Sequence, residues 1–503
     1  MTGDYFALLR LLAPEAIVAL TALIVLGADL MRGGRQPLPL RMSAGAWITV
    51  IGCALAFFIP APGAAASALA TGVFTSNPLI HIAKQIILLL TAATAILSIS
   101  GRFTNHAGEY FSLLLFSTLG MLFLVSADNL LMVFLALELT SLCLYVLTAF
   151  DKRSVASAEA ALKYFLFGGV SAAFLLFGFS LIYGVTGEIQ LTAIASSLQK
   201  SNGHDSLIMA ALVMVAIGFG FKVAIAPFHL WAPDTYQGAP TPCAAFIASG
   251  SKVASFFILA RLAFTALVPS AGNGEWARFT PGWMPVLALC AALSMILGNV
   301  AAIAQSSVKR LLAYSAIAHA GYMMLGVIAG GYTGKTAQAI TPLLFYVSTY
   351  ALTTLATFGV VMVVECDQGH DRLDSFAGLR SRSPLLALCM LIFLLSLAGI
   401  PPLAGFFGKF YLFTAIVGAA PNDLGLLWLV ILAIAASAVS LYYYLQILKQ
   451  IYVADSPTGT SELTVPASVT AMAVFSAVAI LLLGCAPNIL IDPFAAAVRL
   501  AGF

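Results

Sequence analysis

Apolar runs of about twenty residues recur along this chain from Leu11 to Ala486. A helix rising 1.5 Å per residue needs about 20 such residues to cross a bilayer. No other feature restricts the fold as strongly. In hydrocarbon every backbone N–H and C=O must be satisfied within its own segment, so each run is committed to a helix. The runs predict fourteen helices, near 11–31, 43–60, 79–98, 110–126, 129–150, 160–184, 207–232, 241–268, 284–304, 308–328, 338–364, 384–418, 424–448 and 466–486. The expected fold class is therefore an all-α polytopic membrane protein. Composition agrees: 9% of residues are charged, against roughly 25% in soluble domains. The first run is long enough to span and lacks a small-residue cleavage site, so it reads as helix 1 rather than a signal peptide.

Lysine and arginine set the orientation. Call the side of the N-terminus side A. Its loops carry five basic residues: Arg10, Lys200, Arg278, Lys335 and Arg499. Side B carries twelve: Arg32, Arg35, Arg41, Arg102, Lys152, Arg153, Lys309, Arg310, Arg372, Arg380, Arg382 and Lys449. Side B is expected to face the cytoplasm or matrix, with both termini opposite. No basic stripe suited to nucleic acid exists. The seven cysteines are scattered, with no CxxC or Cys/His cluster, so no disulfide framework, zinc site or iron–sulfur site is expected. Walker A and dinucleotide glycine motifs are absent, as is a histidine pair spaced for haem.

Six basic residues remain inside predicted helices: Lys84, Lys163, Lys222, Lys252, Arg261 and Lys409. An ionisable group at membrane depth is expensive and is by default a functional hypothesis. Lys222 and Lys252 flank the stretch 218–252, whose Pro227 breaks helix 7 and whose Pro233–Pro242 region reads as a polar turn. Both lysines sit near the membrane centre. Glu138, about nine residues into helix 5, is the acid positioned to pair with them. A carboxylate buried alone neutralises, whereas beside a lysine both can stay charged. A static ion pair joining two helices is the plain alternative. Two lysines for one glutamate leave a positive charge over, and this favours a titrating pathway.

Lys409 lies seven residues beyond Pro402, where Pro401–Pro402 breaks helix 12. Non-helical backbone at that depth is tolerated only against protein or a water-filled cavity, so Lys409 reads as a terminal proton site. Helices 7 and 12 are five apart and cross in opposite directions. That is the geometry of inverted repeats with discontinuous helices meeting near the midplane. Histidine titrates near neutrality, which makes His319 in helix 10 and His229 beside the first break candidate relays. Each has the alternative of a hydrogen-bonded core histidine. Lys163 either snorkels to side B or reaches the Glu138–Lys222 region. Lys84 and Arg261 are expected to snorkel towards side A. Glu15 is expected to favour the start of helix 1 through its dipole. His81, His106, His204 and His370 read as loop or interface residues.

Four stretches carry a family resemblance: LALELTSLCLYVL (135–147), PFHLWAPDTYQGAPTP (227–242), VKRLLAYSAIAHAGYM (308–323) and GIPPLAGFFGKFYLF (399–413). Together they resemble the antiporter-like membrane subunits of proton-pumping NADH:quinone oxidoreductase, respiratory complex I. Lysine at 409, the segment FIASGSKVASF and the chain length are similar to the N type among them. The resemblance implies about fourteen helices, with two inverted five-helix repeats and broken helices 7 and 12. The expected division is 1–108 (three helices), 109–268 (helices 4–8), 269–448 (helices 9–13) and 449–503 (helix 14 and tail). It also implies roles: Glu138 tunes Lys222, Lys163 is auxiliary, and Lys252 and His319 lead to a terminal Lys409.

By the same resemblance, FMN, iron–sulfur clusters and quinone belong to other subunits. The implied partners are subunit M and the small subunits K, J, A and H, together with phospholipids. The implied location is a bacterial inner membrane with both termini periplasmic, or else the mitochondrial inner membrane. Other readings of the same residues are a subunit of a multi-subunit sodium/proton antiporter, a scaffold without its own proton path, or an independent solute transporter.

Overall fold

The computed structural model describes residues 10–32, 36–60, 72–101, 103–200, 206–273, 279–332, 336–419, 425–456 and 462–502. Arg35, Arg102, His204, Arg278 and Lys335 lie outside the described residues. The first six helices are α1 (Ala13–Arg32), α2 (Leu38–Phe57), α3 (Pro78–Ser98), α4 (Ala107–Ser126), α5 (Leu130–Thr148) and α6 (Val155–Thr186). Then comes α7, in two pieces (Ser206–Val223 and Trp231–Gly238). It is followed by α8 (Thr241–Thr265), α9 (Trp283–Ile303), α10 (Val308–Gly330) and α11 (Thr336–Gln368). The last three are α12, also in two pieces (Pro384–Ala398 and Ala404–Ala419), α13 (Leu427–Tyr452) and α14 (Ala467–Cys485).

Local sequence explains several boundaries. Asn77, Asn129, Ser154 and Ser307 each accept a hydrogen bond from a backbone N–H in the first turn of α3, α5, α6 and α10, the ordinary N-cap arrangement. Gly187 closes α6 at φ +70°, a conformation that glycine adopts without steric cost.

Four features differ from the sequence reading. The Pro233 region is helical rather than a turn, because Pro233 falls in the first turn of the half-helix Trp231–Gly238, where proline costs no hydrogen bond. A discontinuity at Ser249 (φ −115°, ψ −80°) divides α8. α11 continues through Glu365 to Gln368, past the predicted end near 364. Two short helices, Leu191–Lys200 and Asn488–Leu500, lie outside the spans; ten and thirteen residues are too few to cross a bilayer.

The arrangement is concentric. α8, α10 and α11 are almost wholly enclosed, while α1, α2, α6, α13 and α14 bury well under half of their residues. The outer helices therefore show lipid-compatible faces, such as Leu162, Phe165, Leu166 and Val170 of α6. Within the core, α9 lies directly on α10. A Cβ at Gly298 would come within 2.7 Å of the Ala318 nitrogen, and one at Gly321 within 2.9 Å of the Ala291 oxygen. Only glycine permits that approach, and small residues at such crossings are how membrane helices pack closely.

Charged cross-links join ends that alternation places on the same side. On side A, Lys84 of α3 pairs with Glu15 of α1 at 2.6 Å, and Arg261 of α8 pairs with Asp128 at 2.7 Å. On side B, Lys309 of α10 pairs with Glu365 of α11, and Arg310 pairs with Asp234 of α7. Lys84 and Arg261 thus do not snorkel. They are 5% and 9% exposed, because each finds a carboxylate within the protein and has no need of the interface.

Candidate functional site

Three lysines lie deep in the spans: Lys222 (7% exposed), Lys252 (2%) and Lys409 (4%). Each is positioned by an irregularity in its helix. Lys222 is the last residue but one of the first piece of α7, just before Ala224 adopts φ +58°. The break beyond it is held from two directions: the Ala226 N–H donates to Ser294 Oγ of α9 at 2.8 Å, and Trp231 Nε1 donates back to the Phe221 carbonyl at 3.0 Å. Trp231 also stacks on Tyr164 of α6, centroids 4.3 Å apart. Lys252 comes just after the discontinuity at Ser249. Lys409 lies five residues into the second piece of α12 and folds back over the break, its side chain running 3.1–3.5 Å from where a Cβ on Gly399 would stand. Gly399 has φ +87°, so glycine serves both the backbone turn and the passage of the lysine.

The partners of the ammonium groups separate these lysines from the other buried cations. Lys222 Nζ donates to Ser141 Oγ of α5 at 2.6 Å. Lys252 Nζ donates to the Ala316 carbonyl of α10 at 2.6 Å. Lys409 Nζ donates to the Leu397 and Ala398 carbonyls, both at 3.0 Å, and to Ser437 Oγ of α13 at 2.8 Å. Those two carbonyls end the first piece of α12, where the helix dipole favours a cation. Among the described residues, no carboxylate lies within ion-pair distance of any of the three. Lys84, Arg261 and Lys309, by contrast, each hold one. A lysine held by neutral oxygens can release its proton without stranding a buried anion, whereas an ion-paired lysine cannot.

Glu138 does not form the direct pair with Lys222 that the sequence leads one to expect. The two share a pocket of about 20 Å³ between α5, α6 and α7, also lined by Ser141, Tyr145 and Ser171. That volume is room for about one water molecule, and Ser141, one turn from Glu138, takes the lysine's hydrogen bond instead. Glu138 also falls on a stripe of exposed apolar residues, Leu131, Leu135, Leu142 and Val146.

Lys163 points away from this pocket. It binds Glu159 at 2.6 Å and Asp234 at 2.8 Å at the side B end, and Asp234 also holds Arg310 at 2.5 Å. His229 is half-buried beyond the break and makes no hydrogen bond to Lys222. The helix that carries Lys222 ends at Val223, before His229 is reached.

His319 is hydrogen-bonded at both ring nitrogens. Its Nδ1 bonds Tyr346 Oη at 2.6 Å and its Nε2 bonds Tyr444 Oη at 3.1 Å. One tyrosine ring separates it from each lysine. Tyr350 lies 4.9 Å from the imidazole and 5.5 Å from Lys252 Nζ; Tyr322 lies 5.6 Å from the imidazole and 5.1 Å from Lys409 Nζ. The reading from sequence does not single out these tyrosines. One signal is present: Tyr322 lies three residues after His319, on the same helical face. Tyr346, Tyr350 and Tyr444 come from α11 and α13, and only folding brings them to the imidazole.

Residues 127–438 match the family model described as NADH:quinone oxidoreductase/Mrp antiporter, transmembrane. A relative from Acidobacterium capsulatum, named NADH-quinone oxidoreductase subunit N 2, is 51% identical over 496 residues, covering 97% of this chain and 98% of its own. A chain in the structure of respiratory complex I from Thermus thermophilus with bound aureothin is 36% identical, with TM-score 0.76, covering 96% of this chain and all of that one. A chain of the Mrp complex from Dietzia sp. DQ12-45-1b shares the fold at 20% identity, with TM-score 0.77, covering 99% of this chain and 97% of that one.

Proposed function

The chain belongs to the transmembrane-subunit family of NADH:quinone oxidoreductases and Mrp antiporters, and from that membership we propose a residue-level path for its protons. The protein is a proton-translocating, non-redox membrane subunit of an NADH:quinone oxidoreductase. Its proton line runs from Lys222 beside Glu138, through Lys252 and His319, to Lys409. The observation that carries this reading is the chemistry around the three lysines: each ammonium is buried and held by neutral oxygens. Glu138 tunes Lys222 by approaching or leaving it across their shared pocket. Sites coupled in this way titrate as a set.

Lys163 and Asp234 hold the side B end of α7 against α6 and α10, and Lys163 is auxiliary to the line in this positional sense. His229 stands outside the line.

Neighbouring membrane subunits, an M-type subunit and the small K, J, A and H types, cover the faces that an isolated chain exposes. The exposed stripe around Glu138 supports this, since a carboxylate at membrane depth needs protein rather than lipid against it. FMN, iron–sulfur clusters and quinone reside in other subunits, whose chemistry drives the charge switch. Phospholipids cover the remaining apolar faces. The home membrane is a bacterial inner membrane, with side B cytoplasmic and both termini periplasmic.

Lys222→Ala tests the assignment. In purified, fully assembled complex reconstituted into vesicles, this variant is expected to lose most NADH-driven proton pumping. Pumping at the wild-type rate would sink the reading.

A further inference from the structure

The lysine line leaves part of the buried polar network unused. From His319 Nε2 a hydrogen bond of 3.1 Å leads to Tyr444 Oη, and from there one of 2.5 Å leads to Ser315 Oγ. Tyr444 and Ser315 are 0% and 2% exposed, wholly inside the protein. Neither belongs to the connection between His319 and the lysines, which passes through Tyr350 and Tyr322.

The direction of this branch is set by the helices. α10 enters from side B at Val308, so Ser315 lies one turn nearer side B than His319. α13 ends on side B at Tyr452, eight residues beyond Tyr444. A parallel set of groups lies alongside: Asn299 Nδ2 donates to Tyr322 Oη at 3.2 Å, and Tyr443 Oη donates to Asn299 Oδ1 at 3.0 Å. The Tyr443 and Tyr444 rings are 4.5 Å apart. Asn299 sits four residues from the side B end of α9. Both strings thus lead from the lysine–histidine level towards the same face.

We propose that Ser315 and Tyr444 form a hydroxyl branch through which His319 exchanges protons in the direction of side B. Each oxygen accepts one proton and donates another. A proton reaching Ser315 Oγ displaces the serine hydroxyl proton onto Tyr444 Oη, and the phenolic proton passes to His319 Nε2. Each hydroxyl is left with the single proton it began with, and the imidazole gains one. The reverse order discharges His319. Both contacts are direct hydrogen bonds, the geometry that proton transfer between positioned groups requires. Tyr346, on Nδ1, accepts or donates on the opposite edge of the ring, so the imidazole can take a proton on one nitrogen and release one from the other.

This inference rests on the lysine line proposed above, and the test separates the two. Tyr444→Phe removes the hydroxyl and keeps the ring. Ser315→Ala removes the second hydroxyl, and Ser315→Thr restores one. In assembled complex reconstituted into vesicles, Tyr444→Phe and Ser315→Ala are each expected to pump roughly a hundredfold more slowly than wild type. Ser315→Thr is expected to recover most of the rate, which a purely packing role for Ser315 would not produce. Tyr442→Phe, on the exposed face of the same helix, is the unaffected control. Should Tyr444→Phe fail to assemble, the Ser315→Ala and Ser315→Thr pair decides alone. If Lys252→Met abolishes pumping while Tyr444→Phe and Ser315→Ala pump normally, the branch is overturned and the line survives. If Lys252→Met itself pumps normally, the line fails and the branch falls with it.

Discussion

At the residue scale, the protein buries two kinds of cation. Lys84 with Glu15, Arg261 with Asp128 and Lys309 with Glu365 are compensated by a carboxylate. Lys222, Lys252 and Lys409 are compensated by hydroxyls and carbonyls. The physical consequences of losing them differ. Lys84→Met strands Glu15 in a site where it is 1% exposed, and breaking a buried pair costs about 3–5 kcal/mol. The variant is expected to lower the melting temperature and yield of assembled complex. Lys252→Met strands only the Ala316 carbonyl and is expected to assemble nearly normally while pumping poorly. Equal melting temperatures for wild type and Lys84→Met would refute the distinction. The identity of the lysines is legible in the sequence, because charge at membrane depth is conspicuous. Their partners are not: Ser141, Ser437 and the carbonyls of Ala316, Leu397 and Ala398 carry no sequence signal that marks them as ligands.

At the scale of elements, the breaks place the lysines. In α12 the cause is visible in the sequence as Gly399–Ile400–Pro401–Pro402. Gly399 takes a positive φ, and the first piece ends with two carbonyls turned to Lys409. In α7 the proline is equally visible, but the segment beyond it reads as a turn and is a helix. The half-helix Trp231–Gly238 exists because tertiary contacts secure it: Trp231 packs on Tyr164 and bonds Phe221 across the break. Ser294 of α9 secures the same break from the other side. Ser294→Ala leaves the buried Ala226 N–H without its partner, at a cost of about 1–3 kcal/mol. Thermal unfolding of the purified complex should show the loss, and pumping should fall with it, because Lys222 is the last residue but one of the adjoining half-helix. Unchanged stability and pumping would mean that Ser294 does not hold the break.

At the scale of the whole molecule, alternation of spans assigns every loop to a side, and the ion pairs respect that assignment. Two native thiols test it without any substitution. Cys366, near the side B end of α11, and Cys485, at the side A end of α14, are both exposed. A membrane-impermeant thiol reagent is expected to modify Cys366 only from the cytoplasmic face and Cys485 only from the periplasmic face, read by mass spectrometry of this subunit from vesicles of each orientation. Modification of both from one face would overturn the topology. The enclosed trio α8, α10 and α11 belongs to this scale as well. It surrounds Lys252 and His319 with protein, so both groups face side chains rather than bulk water.

The sequence by itself determined the membrane class, the helix number and the breaks at Pro227 and Pro401–Pro402. Hydrocarbon forces every apolar run into a self-satisfied helix, and proline and glycine mark where that rule fails. It also picked out Glu138, Lys222, Lys252, His319 and Lys409, since a charge or imidazole in an apolar run stands out wherever it lies. Only the tertiary structure decided what those groups touch. It turned Lys163 towards Asp234, set Ser141 against Lys222 in place of a direct Glu138 pair, buried Lys84 and Arg261 in ion pairs, and gathered the tyrosines of α11 and α13 around His319. Those contacts join residues far apart in the chain. They are settled by helix packing, about which the hydropathy of each helix alone says nothing.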